Sequence, residues 1–153
     1  MIKTTLVLFL GAASVLVAAQ PSPPSDLAAM MAKTRPDGRL VSWCRGQFRP
    51  GGPHAYAAAV ASVAGGGNYI VIDNDAGVAV LAAFKGAPDL SCYTPAEARK
   101  LNESIRTSET ISGRLTPAFS TTVVCGFVEE TNAVCWQYSP AARAFIKIGE
   151  WQT

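Results

Sequence analysis

The sequence has little that could hold a metal ion or cleave a bond. Among its 153 residues His54 is the single histidine, and no two of the four cysteines form a C-x-x-C pair. Structural zinc sites need four cysteine or histidine ligands, usually in closely spaced pairs. The G-x-S-x-G pattern that presents the nucleophile of α/β-hydrolases is also missing. We therefore expect no metal site and no cofactor, and we find no recognisable catalytic motif.

Charge is scarce as well, and its two signs nearly cancel. Charged residues make up 16% of the chain and the formal net charge is +2. Nucleic acids and anionic membranes attract proteins with strongly basic surfaces. The near-neutral balance therefore excludes a general electrostatic affinity for nucleic acid. Hydrophobic residues, at 49%, supply ample material for a core.

No hydrophobic run comfortably reaches the roughly 20 residues that a membrane-spanning helix needs. The N-terminal run, residues 6–17, follows the positive charge of Lys3 and precedes small residues before Gln20. This order is typical of a secretory signal peptide, so we interpret residues 1–19 as one, in preference to an uncleaved anchor. The mature chain is then exported, to the periplasm or the medium, without a transmembrane segment.

The mature chain has the length of one domain. Residues 20–25, QPSPPS, are rich in proline and serine and predict a disordered lead-in. Residues 26–153 then form a single domain. An even number of cysteines in an exported domain predicts two structural disulfides.

One segment, Val123–Tyr138, selects among the three possible pairings. Two runs of strand-forming residues flank a polar turn, which predicts a β-hairpin. A three-residue loop would pair Val128 with Asn132 and would place Cys125 opposite Cys135, close enough for a disulfide. Both faces of the hairpin are apolar, so we expect it to be central and covered on both sides.

The remaining cysteines, Cys44 and Cys92, would form the second disulfide. It would join the first predicted strand to the entry of a helix that begins at Pro95. Thr94 and Glu97 around that proline form a capping-box pattern, the best local signal in the chain.

These signals together predict an α+β fold: a mostly antiparallel sheet of seven or eight strands, made of hairpins and compatible with barrel-like closure. One helix is expected at about 95–107, and Asp26 is expected to cap a short N-terminal helix at 27–33. Residues 54–64 fit a helix by their alanines, but their position between strand signals favours a strand. The other strands are expected at 39–48, 69–73, 78–84, 110–115, 120–128, 132–138 and 144–151.

The best candidate for a binding surface lies around the first strand. Arg45 shares a face with Trp43, while His54 and Tyr56 follow a glycine- and proline-rich loop that begins at Arg49. Arginine and aromatic residues dominate interface hot spots. If any surface binds a protein or a small anionic ligand, we expect it to be the one that carries Arg45, Arg49, His54 and Tyr56; a plain solvated face is the preferred alternative.

Three other patterns have structural interpretations. Residues 73–77 begin like a calcium loop, but the twelfth position is Phe84 where a carboxylate is needed. Glu129 and Glu130 are adjacent on a polar turn, where nothing would separate their pKa values. Asn102 begins a formal glycosylation sequon in the middle of the predicted helix.

Three functions compete on this evidence. The leading hypothesis is an exported, non-catalytic binding or interaction domain, inhibitor-like or part of the cell envelope. The alternative is a small exported hydrolase in which His54 acts as general acid or base beside a carboxylate or hydroxyl brought near in space. A purely structural envelope role is the third.

Overall fold

The computed structural model describes residues 21–74, 77–118 and 120–153. Within them lie two helices and nine strands. In chain order these are α1 (Ser25–Thr34), β1 (Arg39–Gly46), β2 (Ala55–Ala61), β3 (Gly67–Asp73), β4 (Gly77–Phe84), β5 (Leu90–Tyr93), α2 (Pro95–Thr107), β6 (Ser112–Leu115), β7 (Val123–Glu129), β8 (Asn132–Ser139) and β9 (Ala144–Gln152). The predicted signal peptide lies outside the described residues.

The strands form two antiparallel sheets, which corrects the prediction of one sheet of seven or eight strands. Sheet A has the order β1-β2-β3-β4, and sheet B has the order β5-β7-β8-β9-β6. Across the described residues neither sheet closes into a barrel. The chain leaves sheet A after β4 because β5 pairs with β7, which lies 30 or more residues further along. That pairing has no local sequence signal, and β5 itself was not predicted.

The two sheets pack face to face, and each carries a helix on its outer side. Residues from both sheets share the clusters between them, such as Tyr69 of β3 with Trp136 of β8. Leu27 and Met31 of α1 pack on the outer face of sheet A. Ala98 and Ile105 of α2 pack on the outer face of sheet B. The order of layers is therefore helix, sheet, sheet, helix.

The β7–β8 hairpin is confirmed as a central element covered on both sides. Cys125 faces Cys135 in the ladder and Val124 faces Trp136, as predicted. The turn differs: Glu129 pairs with Asn132, so that Val128 is an extra residue in a bulge and does not pair with Asn132. The bulge adds local twist and shortens the loop without moving the cysteines.

Both predicted disulfides are confirmed. Cys125–Cys135 joins neighbouring strands with Cα atoms 4.1 Å apart, and Cys44–Cys92 joins β1 of sheet A to β5 of sheet B at 5.9 Å. Two disulfides indicate an oxidising, extracellular-type environment. Neither described helix has the length and hydrophobicity that crossing a membrane would require.

The two helices match their predictions to different degrees. The capping box of α2 is present: Glu97 N–H donates to Thr94 Oγ1 at 3.3 Å, and Thr94 N–H donates to Glu97 Oε2 at 2.8 Å. In α1 the predicted cap is wrong, because the helix starts at Ser25 and Asp26 lies in its first turn. Asp26 instead accepts a hydrogen bond from the hydroxyl of Tyr56.

Local irregularities change which side chains share a face. Residues 55–61 form a strand, which confirms the preference for a strand over a helix there. In β1 a bulge between Leu40 and Ser42 shifts the alternation. As a result Leu40 packs with Trp43 under α1, and Val41 lies between the sheets with Cys44, in contrast to the simple alternation expected.

A buried tyrosine ties the two sheets together. Tyr69 of β3 is fully buried, and its hydroxyl donates to the carbonyl of Phe127 in β7 at 2.7 Å. The same oxygen accepts the backbone N–H of Asp89 at 3.2 Å. The ring fits against Gly126, where a Cβ would lie 2.6 Å from the ring. Burial raises the pKa of Tyr69 to about 12.

Candidate functional site

The four predicted binding residues do not form one surface. Arg45 and His54 line the same open cleft, of about 350 Å³. Tyr56 lies opposite Arg45 in the β1–β2 ladder, but its hydroxyl is held by Asp26. Arg49 is held by Asp73 and two aromatic rings. The structure therefore brings together two of the four predicted residues, and ligand binding by any of them stays a prediction.

The cleft lies where the end of β1, the start of β2 and the start of α2 meet. Its polar and aromatic lining comes from four segments of the chain. These lining residues are Arg45, Gln47, His54, Tyr93, Thr94, Glu97, Ser120 and Thr122. Cys92 contributes to the wall, so the Cys44–Cys92 disulfide fixes the distance between the two sheets at this site.

Two hydrogen bonds join the chain segments that form the back of the cleft. Gln47 N–H donates to Thr122 Oγ1 at 3.0 Å, and Thr122 N–H donates to the Gln47 carbonyl at 2.8 Å. The neighbouring Gly46 must be small, since a Cβ there would lie 2.6 Å from Thr122 Cγ2. The strand end of β1 is thus fixed directly to the segment before β7.

Glu97 is the one carboxylate among the residues that line the cleft, and it is already engaged. It accepts the Thr94 N–H in the capping box, and this backbone hydrogen bond, helped by the Thr94 side chain, lowers the pKa of Glu97. The same box satisfies amides at the α2 N-terminus. The helix end therefore offers little to an anionic ligand beyond its dipole.

The two basic residues of the cleft have no such partner. Arg45 and His54 are both exposed, and neither side chain forms a hydrogen bond or an ion pair within the described part of the chain. A general base needs a partner within hydrogen-bond reach that orients it. His54 shares the cleft with the hydroxyls of Ser120 and Thr122, but no described contact joins them.

Tyr56 serves the attachment of α1. It is 5% exposed, and its hydroxyl lies 3.0 Å from both carboxylate oxygens of Asp26. Its ring meets Trp43 edge to face, with centroids 6.1 Å apart. Burial, and next the Asp26 carboxylate, raise the pKa of the Tyr56 hydroxyl. The side chain is therefore not available as a ligand contact.

Arg49 is held between an acid and two aromatic rings. Its guanidinium carbon lies 4.5 Å from the centroid of Tyr138 and 5.7 Å from that of Phe145. Its Nε lies 3.5 Å from Asp73 Oδ2. Cation–π contacts of this kind are worth about 0.5–2 kcal/mol each, depending on desolvation. Arg49 connects the loop after β1 to the end of sheet B.

Sequence reasoning missed Tyr93, Ser120 and Thr122. Thr122 reaches the cleft through a contact with Gln47 that spans 75 positions of the chain. Tyr93 belongs to β5, which was not predicted. No local pattern marks these residues, so only the folded topology brings them to Arg45 and His54.

The other candidate patterns have structural explanations in the described residues. Asp73 pairs with Arg49, so its carboxylate is engaged. Asn102 Oδ1 accepts the N–H of Leu115 at 2.8 Å, which ties α2 to β6. Glu129 and Glu130 are exposed at the hairpin turn. Within the described ranges no cluster of three or more histidine, cysteine and acidic residues could hold a metal ion.

Comparison of the chain with known protein families, with curated proteins and with solved structures finds no match.

Proposed function

We propose that this protein is an exported, non-catalytic binding domain and that its cleft takes an anionic group of the ligand. The observation that carries the proposal is the pair of exposed basic side chains, Arg45 and His54, at an open cleft whose carboxylate is engaged in a helix cap. A ligand carboxylate would find unpaired donors there. Arginine provides several N–H donors in one plane and suits such groups well.

The scaffold supports binding because it holds the cleft rigid. The disulfide, the Gln47–Thr122 hydrogen bonds and the capping box fix three sides of the cleft before any ligand arrives. Binding to a preformed site avoids the entropy cost of ordering loops. Export follows from the predicted signal peptide and agrees with the oxidising environment that the disulfides indicate.

The geometry supports hydrolysis less well. A His54-dependent reaction would need Glu97 or a hydroxyl to orient the imidazole. Glu97 is capping α2, and its lowered pKa keeps it ionised and hydrogen-bonded to Thr94. Releasing it would break the capping box and leave the Thr94 N–H without its acceptor.

The test is an NMR titration of the oxidised mature chain with a short peptide that carries glutamates, at low salt. We expect saturable amide shifts at Gln47, Thr94 and Thr122 around the cleft. Arg45→Gln should weaken binding about tenfold, because a charge-assisted hydrogen bond is worth roughly 1.5–3 kcal/mol.

Arg39→Gln is the matched control, because Arg39 is exposed at the other end of the same strand. It should leave the affinity unchanged. Equal loss in both variants would mean that only the overall charge matters. Turnover in a broad hydrolase screen that disappears in His54→Ala would overturn the non-catalytic assignment.

A further inference from the structure

A second, smaller cavity lies on the outer face of sheet B. We call it the trough; it is about 50 Å³ in volume. Its lining includes Asp89, Ser91, Tyr93, Phe127, Ala133 and Trp151. None of its lining residues belongs to α2, so it occupies a part of this face that the helix leaves open.

The alternation of β5 directs two side chains toward the trough. Leu90 and Cys92 pack between the sheets. Side chains of a strand alternate between its faces, so Ser91 and Tyr93 lie on the outer side. Tyr93 confirms this, because it packs with the cluster under α2. Asp89, the residue before β5, lines the same trough.

Two aromatic rings form a right-angled corner of the trough. The centroids of Phe127 and Trp151 are 6.2 Å apart and their planes meet at 81°. Tyr93 adds a third aromatic side chain to the lining. Aromatic faces carry negative charge density and attract alkylated cations, and several rings around one small volume are the usual arrangement for ammonium recognition.

Asp89 supplies a negative charge for a bound cation. The backbone of Asp89 is bonded on both sides: its N–H donates to Tyr69 Oη at 3.2 Å, and its carbonyl accepts the Phe127 N–H at 3.2 Å. Asp89 is exposed, and within the described residues its carboxylate forms no ion pair. An unpaired carboxylate on a fixed backbone, in the lining of the same cavity as the aromatic rings, suits a cation.

We propose that the trough binds an alkylammonium group, either the end of a lysine side chain or a free methylated amine. The volume admits one small group rather than a whole ligand. The trough is separate from the Arg45–His54 cleft. The two are lined by different residues, except for Tyr93, which lines both. The proposal does not depend on the function proposed above.

The experiment is an NMR titration of the oxidised mature chain with tetramethylammonium chloride, compared with sodium chloride at equal ionic strength. tert-Butanol serves as an uncharged probe of similar size. We expect saturable shifts at Phe127, Ala133 and Trp151 with the cation alone. Asp89→Asn and Phe127→Leu should each weaken binding about fivefold, the effect of losing one such contact.

Glu109→Gln is the control, since it removes the same charge from an exposed position outside the trough. Equal shifts with tert-butanol, no saturation with the cation, or equal effects of Asp89→Asn and Glu109→Gln would each overturn the proposal. If Phe127→Leu no longer gives the NMR spectrum of a folded protein, the effect of Asp89→Asn on binding tests the proposal by itself.

A capped Gly-Lys-Gly peptide in a parallel titration separates the two sources of the ammonium group. Tighter binding than tetramethylammonium indicates a protein lysine, and weaker binding indicates a small methylated amine.

Discussion

Removing one oxygen atom, by Tyr69→Phe, should measurably loosen the contact between the two sheets. The ring would remain in place against Gly126, but the Phe127 carbonyl would lose its donor and the Asp89 N–H its acceptor. Loss of a buried hydrogen-bond partner costs about 1–3 kcal/mol, so we expect a loss of about 2 kcal/mol at pH 7. Urea unfolding with the disulfides intact measures it.

The same variant makes a prediction about alkaline pH. The pKa of Tyr69 is raised from 10.0 to about 12 in the folded protein, so between these values the unfolded state binds fewer protons than the folded state. Stability is then fully present below pH 10 and falls as the pH rises toward 12, by about 2 kcal/mol for this group. Tyr69→Phe lacks that loss, and its deficit relative to the wild type should shrink over this range.

Tyr138→Phe is the matched control, because Tyr138 meets Phe145 and Arg49 through its ring. We expect it to change the free energy of unfolding at pH 7 by less than about 0.5 kcal/mol, as is usual away from buried polar contacts. The hydroxyl would not connect the sheets as described if Tyr69→Phe changed the free energy of unfolding as little as Tyr138→Phe does. The same would follow if its loss of stability relative to the wild type stayed constant from pH 10 to 12.

Three further substitutions test the contacts that hold the cleft in shape. Replacing both Cys44 and Cys92 by alanine should lower the free energy of unfolding by about 4 kcal/mol on the chain-entropy model, as read from urea midpoints; a change below about 1 kcal/mol would contradict it. Thr94→Ala should cost about 1 kcal/mol and expose the first-turn amides of α2 to faster hydrogen exchange, whereas unchanged exchange would argue against the cap. Gly46→Ala should clash with Thr122 and lower the melting temperature, in line with about 1–3 kcal/mol of overpacking; a neutral effect would mean that this contact is loose.

Features encoded by neighbouring residues could be predicted from the sequence. The capping box at Thr94 and the facing of Cys125 and Cys135 depend on spacings of a few residues and on a short turn, and both are confirmed. The pairing of Cys44 with Cys92 then followed by elimination. Each of these inferences needed only local geometry.

Features that depend on distant contacts could not be predicted. The division into two sheets rests on β5 pairing with β7 across α2 and β6, and β5 is only four residues long. The bulge after Leu40 reversed the faces of the start of β1. A single added residue in a strand leaves no mark in a pattern of apolar residues.

Contacts between distant residues also decided how much of the candidate site could be predicted. Arginine and histidine near a loop pointed to Arg45 and His54, which do line one cleft; that this cleft binds a ligand stays a prediction. The same reasoning selected Arg49 and Tyr56, which the fold engages with Asp73 and Asp26. Whether a polar side chain is free or engaged depends on partners 24 to 30 positions away.

The most direct test is a quantitative pull-down from the cell fraction in which the native protein is found, with three baits: the oxidised chain from Gln20 onward, Arg45→Gln and Arg39→Gln. The account predicts one discrete ligand that the wild type and Arg39→Gln retain equally and that Arg45→Gln retains about tenfold less. Equal retention by all three baits, or release of a chemically altered ligand from the wild type, would contradict a non-catalytic binding site at this cleft.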